Sequence, residues 1–172
     1  MRRILLGLVL AGGALVGGRE VGACGDKFLV IGRGVRQQRV QGAVHHASIL
    51  LFYDAQGQLE AALRGENVVT HLKLAGHRLQ AAEGRAQLGE GLASGKYDIV
   101  IAPLSETPAL ELALRDSPTR PFLLPVIHNP TGKELAEAQA EWSCVMRSPS
   151  TKKHYLAVIE DAMVLRQKGS GR

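Results

Sequence analysis

Five strand-length segments, separated by stretches of helical character, constrain the fold of this chain more than any other feature. Three of these segments, 48–53, 97–102 and 122–127, are almost continuously apolar. Such runs are typical of strands buried on both faces of a parallel sheet. Segments 78–82 and 143–147 complete the set. With helices in the links, the pattern predicts an α/β domain with a doubly wound five-stranded parallel sheet, a flavodoxin-like three-layer sandwich.

Helix signals occupy the links between these segments. Apolar spacing predicts a helix over 68–75, and Gly76 follows where a helix C-terminus favours glycine. Thr107-Pro108 has the cap and first-turn proline of a helix start, and Thr131 with Glu134 has capping-box spacing. The pattern also predicts a helix around Leu88 and Leu92 and a last helix over 151–167. We expect His71 and His77 to face solvent.

The N-terminus has the pattern of a cleavable secretory signal. Met1-Arg2-Arg3 precedes an apolar stretch over 4–16, too short for a spanning helix, which needs about 20 residues. Small residues at 21–23 predict cleavage before Cys24. The chain therefore divides into a signal peptide (1–23), an N-terminal arm (24–46), an α/β domain (47–168) and a frayed tail (169–172). Its expected location is the periplasm or the cell exterior.

Cys24 and Cys144 are the only cysteines in the sequence. In an oxidising compartment, such a pair favours a disulfide. Residues 21–24 also resemble a bacterial lipoprotein box, in which Cys24 would carry a lipid, although Arg19 and Glu20 interrupt the apolar stretch before it. The two fates of Cys24 exclude each other, and contact with a membrane is expected only if Cys24 is lipidated.

Charge excludes one class of function. The whole chain carries +5, and residues 1–23 contribute three arginines and one glutamate, so residues 24–172 carry +3. In residues 24–172 the longest run of basic residues is the pair Lys152-Lys153. The absence of a longer basic run argues against nucleic-acid binding. The sequence has neither a G-x-S-x-G nor a C-x-x-C pattern, so we expect no enzyme activity and no cofactor.

Residues 74–79 (Leu-Ala-Gly-His-Arg-Leu) and 95–100 (Gly-Lys-Tyr-Asp-Ile-Val) carry a family resemblance. Together they resemble the stretch across the second and third strands of receiver domains, the phosphate-accepting modules of two-component response regulators. The resemblance covers residues 47–168. It implies acidic residues after the first strand, a phosphoacceptor Asp after the third, a Thr or Ser after the fourth and a Lys after the fifth.

This chain departs from that pattern where the chemistry would occur. Tyr53 and Asp54 take the place of the acidic pair, so one carboxylate remains. Pro103, beside Ala102, takes the place of the phosphoacceptor, and neither side chain can be phosphorylated or bind metal. His128 falls near the Thr or Ser and Arg147 near the Lys. Asp54 could instead cap a turn, or pair with Arg147.

Two functions follow from this resemblance. The first is an exported, non-catalytic pseudo-receiver that binds an unidentified protein partner through the face of its fourth and fifth strands. The second is a binder of a small anion at the C-terminal ends of the strands, where Arg147 would supply the positive charge, since open α/β sheets place ligands at that edge. We expect no metal site, because His45 and His46 lack accompanying ligands.

Overall fold

The predicted strands form one parallel sheet with the order β2-β1-β3-β4-β5. A computed structural model describes residues 24, 43, 45–64 and 67–169. The strands are β1 Ser48–Tyr53, β2 Arg78–Glu83, β3 Ile99–Pro103, β4 Phe122–His128 and β5 Met146–Ser148. This strand order is that of flavodoxin-like α/β folds, which confirms the predicted fold class.

Helices cover both faces of the sheet. They are α1 Gln58–Arg64, α2 Val68–Leu74, α3 Gly84–Ala93, α4 Thr107–Arg115, α5 Gly132–Glu141 and α6 Lys152–Gln167. A single 3-10 turn, Leu104–Glu106, joins β3 to α4. Helices α1, α2 and α6 pack on one face of the sheet, and α3, α4 and α5 pack on the other. No helix in the described part of the chain is long and apolar enough to cross a membrane.

Each face of the sheet has its own apolar core because side chains alternate along a strand. In β1, Ile49 and Leu51 enter the core beneath α1, α2 and α6, whereas Leu50 and Phe52 enter the core beneath α3, α4 and α5. The predicted last helix is confirmed as α6, and its inner face is buried: Tyr155, Val158, Ile159, Ala162 and Met163. The capping box of α5, Thr131 with Glu134, is also confirmed.

The structure differs from several sequence expectations. The third strand begins at Ile99 rather than residue 97, and Thr107, expected as a helix cap, is the first residue of α4. A short helix, α1, precedes the predicted helix over 68–75. The fifth strand begins at Met146, so Cys144 lies before it rather than within it. The expectation that His77 faces solvent is wrong: the residue is 3% exposed, and its ring accepts the N–H of Ala47, the residue before β1.

The predicted signal peptide and the tail from residue 170 onward lie outside the described residues. Most of the predicted N-terminal arm does so as well. The described residues of the arm contact the domain at separate places. The backbone N–H of Ala43 donates to the Ala75 carbonyl, and the N–H of His45 donates to Glu160 Oε1 at 2.9 Å.

Candidate functional site

A groove of about 440 Å³ lies at the C-terminal ends of β3 and β4, beside the start of α1. This is the edge at which open α/β sheets place their ligands. The polar lining residues are Gln56, Gln58 and His128, and apolar side chains, including Pro103 and Leu104, complete it. The groove therefore combines amide groups, one imidazole and apolar surface.

The groove brings together two of the predicted site residues, Pro103 and His128. Pro103 ends β3 and lies opposite Val126 of β4 in the register of the sheet. His128 ends β4, where its Nε2 lies 2.9 Å from the side-chain nitrogen of Asn129. Ala102 precedes Pro103 but is fully buried in the core on the α3, α4 and α5 face, so it does not line the groove.

Asp54 holds the start of α1 in place. One carboxylate oxygen accepts the N–H of Gln56 at 3.2 Å, and the other accepts the N–H of Leu59 at 3.3 Å. Both oxygens thus bind backbone groups of the turn after β1, as expected of an Asx-type turn. Of the two structural roles expected for Asp54, the structure contains the turn cap; it has no Asp54–Arg147 ion pair.

Tyr53 lies apart from the groove. Its side chain borders a separate surface depression with Glu60, Arg64 and Asn67. Burial raises the pKa of the Tyr53 hydroxyl, and the carboxylates of Glu60 and Glu83 raise it further. The phenol therefore stays protonated at neutral pH and can donate a hydrogen bond.

Arg147 is exposed and does not line the groove. Side chains alternate between the two faces of the sheet along β5, so Arg147 points to the face opposite that of the residues before and after it. Met146 and Ser148, on either side of it, are buried. The Ser148 hydroxyl donates to the Ala62 carbonyl of α1 and accepts from the Tyr155 hydroxyl at 3.4 Å. The side chain that faces α1 at the end of β5 is therefore the neutral Ser148, rather than the cation expected there.

A short polar chain near the groove was missed by the sequence reasoning. The Ser105 hydroxyl donates to Gln58 Oε1 at 3.2 Å, and Gln58 Nε2 donates to Gln56 Oε1 at 2.7 Å. These contacts join the start of α1 to the turn after β3. A correct prediction of α1 would have placed Gln58 in its first turn, at the edge where β3 ends, but would not have revealed these contacts.

The lining of the groove has few groups for metal or anion binding. The lining contains no Asp, Glu, Lys or Arg. Among the residues that the structure describes, no three His, Cys, Asp or Glu side chains cluster closely enough to share a metal ion. The chemistry available in the groove is hydrogen bonding to neutral polar groups and apolar contact.

Cys24 and Cys144 form the predicted disulfide, with their Cα atoms 4.9 Å apart. Both are buried in the core beneath α6, at 7% and 2% exposure. The bond attaches the first residue after the predicted cleavage site to the segment before β5. With its sulfur in this bond, Cys24 has no thiol to carry a lipid.

Comparison with known proteins finds likeness in structure only. No family model matches the chain, and no curated protein does. Among solved structures, the chain resembles a response-regulator receiver domain from Bermanella marisrubri, with 18% identity and a TM-score of 0.49 over 67% of this chain and 96% of that one. An orphan response regulator of H. pylori gives 16% identity and a TM-score of 0.48, over 67% and 96%. A pilus assembly-related protein from Burkholderia pseudomallei gives 20% identity and a TM-score of 0.45, over 68% and 89%. At these identities the likeness concerns the fold alone.

Proposed function

We propose that this protein is an exported, non-enzymatic receiver-like module that acts by binding another protein. The observation that carries the proposal is Pro103 at the end of β3. Metal-assisted phosphoryl transfer at that position requires a carboxylate that both receives the phosphoryl group and helps to hold the metal. A proline side chain offers neither function.

The surroundings of Pro103 support the same proposal. The Asp54 carboxylate is engaged by two backbone N–H groups, and the groove lining contains no Asp, Glu, Lys or Arg. A neutral groove of amide and apolar groups is better suited to a polypeptide segment than to a phosphoryl group with its metal.

The partner-binding face in this proposal is that of β4 and β5. His128 is exposed at the end of β4, and Arg147 is exposed one strand away, opposite Ile127 in the register. Leu112 of α4, which packs on the same side of the sheet as Arg147, is 66% exposed. Arg147 lies on the α3, α4 and α5 side of the sheet and His128 on the α1 side, so the proposed surface is the exposed edge at which β4 and β5 end, with polar contacts from both side chains.

Export is supported by the disulfide and by the signal pattern in residues 1–23. Disulfides persist in oxidising compartments and are rare in the cytosol of mesophiles. An exported receiver-like domain is separated from ATP-dependent kinases, which removes the need for a phosphoacceptor. Mass spectrometry of the protein recovered from the periplasm is expected to show a chain that begins at Cys24 and lacks two thiol protons.

The phosphotransfer part is tested by adding Mg²⁺ and beryllofluoride, and separately acetyl phosphate, to purified residues 24–172. We expect no shift of the amide resonances of Asp54, Leu104 and His128, and no phosphoryl adduct by intact mass. An ordinary receiver domain, treated in parallel, should respond to both reagents. A saturable response of this protein to beryllofluoride would contradict the proposal.

The interaction part is tested with a photocrosslinking residue in place of His128 or Arg147, in cells that produce the protein naturally. We expect both positions to give one shared, discrete adduct. A probe in place of Lys73, exposed in the last turn of α2 and away from the ends of β4 and β5, is the matched control. The same adduct from position 73, or no adduct from the two test positions, would contradict the proposed face.

A further inference from the structure

A second cleft, of about 470 Å³, lies at the opposite edge of the sheet from the groove. Ser48 and Arg78, the first residues of β1 and β2, form part of its wall, and Lys96 and Tyr97 come from the link between α3 and β3. Leu79 and Gln80 complete the lining. The volume falls within the range of small-molecule sites, about 300–1,000 Å³.

The lining of this cleft carries two positive charges and no negative one. Arg78 and Lys96 are both exposed, and neither forms an ion pair with any residue that the structure describes. The nearest carboxylate along the chain, Asp98, is engaged elsewhere, by Arg166 at 2.8 Å and by the Ser48 N–H at 2.8 Å. The charges of Arg78 and Lys96 thus remain available to a ligand.

The neutral groups of the cleft also favour an acceptor-rich ligand. Ser48 Oγ accepts a hydrogen bond from Arg78 Nη2 at 3.1 Å, which leaves the hydroxyl proton able to donate. The Tyr97 hydroxyl donates to Gln80 Oε1 at 2.6 Å, which leaves the amide nitrogen of Gln80 as a donor. Donors and cations together are the combination that binds phosphate and carboxylate oxygens.

We propose that this cleft binds a small organic anion through its phosphate or carboxylate group, with Arg78 and Lys96 as the anchoring cations. The Ser48–Arg78 hydrogen bond holds one side of the guanidinium and orients its remaining N–H groups, as bidentate recognition of an oxyanion requires. Leu79 contributes apolar surface for the rest of the molecule. The sequence predicted an anion site at the C-terminal ends of the strands, beside Arg147. The site proposed here lies instead at the N-terminal ends of β1 and β2. The proposal stands independently of the partner-binding face of β4 and β5.

The test is titration of purified residues 24–172 with inorganic phosphate, phenyl phosphate and benzoate, followed by calorimetry and amide chemical shifts. Benzyl alcohol is the uncharged control. We expect saturable binding of at least one anion, with shifts centred on residues 78–80 and 96–97. Binding of phenyl phosphate but not benzoate would identify a phosphate site, and the reverse would identify a carboxylate site. Saturation by benzyl alcohol, or by no anion at millimolar concentration, would overturn the proposal.

A charge-matched pair of variants separates the cleft from general attraction by a basic protein. Arg78→Gln with Lys96→Gln should weaken binding about tenfold or more, because each cation contributes a charge-assisted contact. Lys152→Gln with Lys153→Gln removes the same charge from α6, on the other face of the sheet, and should leave the affinity within about twofold. All four side chains are exposed, so both double variants are expected to fold, as thermal unfolding can verify. Equal losses in the two double variants would overturn the proposal.

Discussion

Asp98 shows how one side chain can join several elements. Its Oδ1 pairs with Arg166 of α6, and its Oδ2 accepts the Ser48 N–H at the start of β1. Its backbone N–H donates to the Ser48 carbonyl, and its own carbonyl accepts the Phe122 N–H of β4, both at 2.8 Å. The Asp of the Tyr97-Asp98 pair therefore has an architectural role at the entry to β3.

Replacing Asp98 should destabilise the fold measurably. Asp98→Ala leaves the Ser48 N–H and the Arg166 guanidinium without their partner, and we expect a loss of about 2–3 kcal/mol in the free energy of unfolding. Asp98→Asn retains an acceptor for Ser48 and should lose less. Urea denaturation of both variants measures the difference. An Ala variant as stable as the parent would show that Asp98 does not join these elements.

His77 links the stability of the fold to pH. Burial lowers its pKa, and His46 lowers it further, while Glu160 opposes the shift. Since the folded state binds the proton less readily than the unfolded chain, the stabilisation is complete above the ordinary histidine pKa of about 6.5. It is lost as the pH falls below that value toward the lowered pKa of the folded protein.

The pH prediction can be measured by urea denaturation between pH 7.5 and 5. The free energy of unfolding should fall with pH in the parent protein. His77→Gln keeps an acceptor for the Ala47 N–H but cannot titrate in this range, so its profile should be shallower. An unchanged slope in the variant would assign the pH dependence to other groups.

At the scale of elements, the capping box of α5 is the clearest sequence signal for where a helix begins. Thr131 accepts the Glu134 N–H at 3.2 Å, and the Glu134 carboxylate accepts the Thr131 N–H at 2.8 Å. Thr131→Ala should cost about 1 kcal/mol, as for other N-caps, whereas Thr131→Ser should retain most of the stability. Thermal unfolding of the two variants tests this, and equal midpoints would argue against the cap.

Strands and helices with a strong pattern of apolar or capping residues were predicted from the sequence, and those with a weak pattern were not. The bounds of β1 could be predicted because a run buried on both faces needs no periodicity to be recognised. Helix α1 was missed because its buried Leu59, Ala62 and Leu63 span a single repeat of the helical pattern in only seven residues. A repeat seen once cannot be distinguished from chance.

The sequence indicated the edge of the sheet at which the candidate groove lies, but not most of the side chains that line it. The strand ends at Pro103 and His128 follow from the apolar runs, and both line the groove. Arg147 does not, since the face of a strand residue depends on register, and a one-residue shift reverses it. Gln56 and Gln58 lie on the turn and helix that the sequence did not reveal.

At the scale of the whole molecule, the disulfide encloses all but the last strand and the last helix. The two cysteines are 120 residues apart in sequence. In the chain-entropy model, a loop of this length stabilises the folded state by about 5 kcal/mol. Cys24→Ser, Cys144→Ser and the double variant should therefore be similarly destabilised, since each removes the same bond.

Urea denaturation with and without a reductant measures this contribution. Reduction should lower the unfolding midpoint of the parent protein to about that of the double serine variant, which should itself not respond. If complete reduction left the unfolding midpoint of the parent protein unchanged, this would contradict a stabilising role for the bond.

The same bond determines how the protein would respond to a pulling force. Tension applied between residue 24 and the C-terminus passes through the sulfur bridge directly to Cys144, so the backbone of β1 to β4 lies outside the covalent path that carries it. Only the 28 residues after Cys144 can be drawn out, to roughly 100 Å, whereas the 148 residues after Cys24 in the reduced chain can reach roughly 500 Å. If the protein is tethered by its ends, most of its sheet is therefore mechanically shielded.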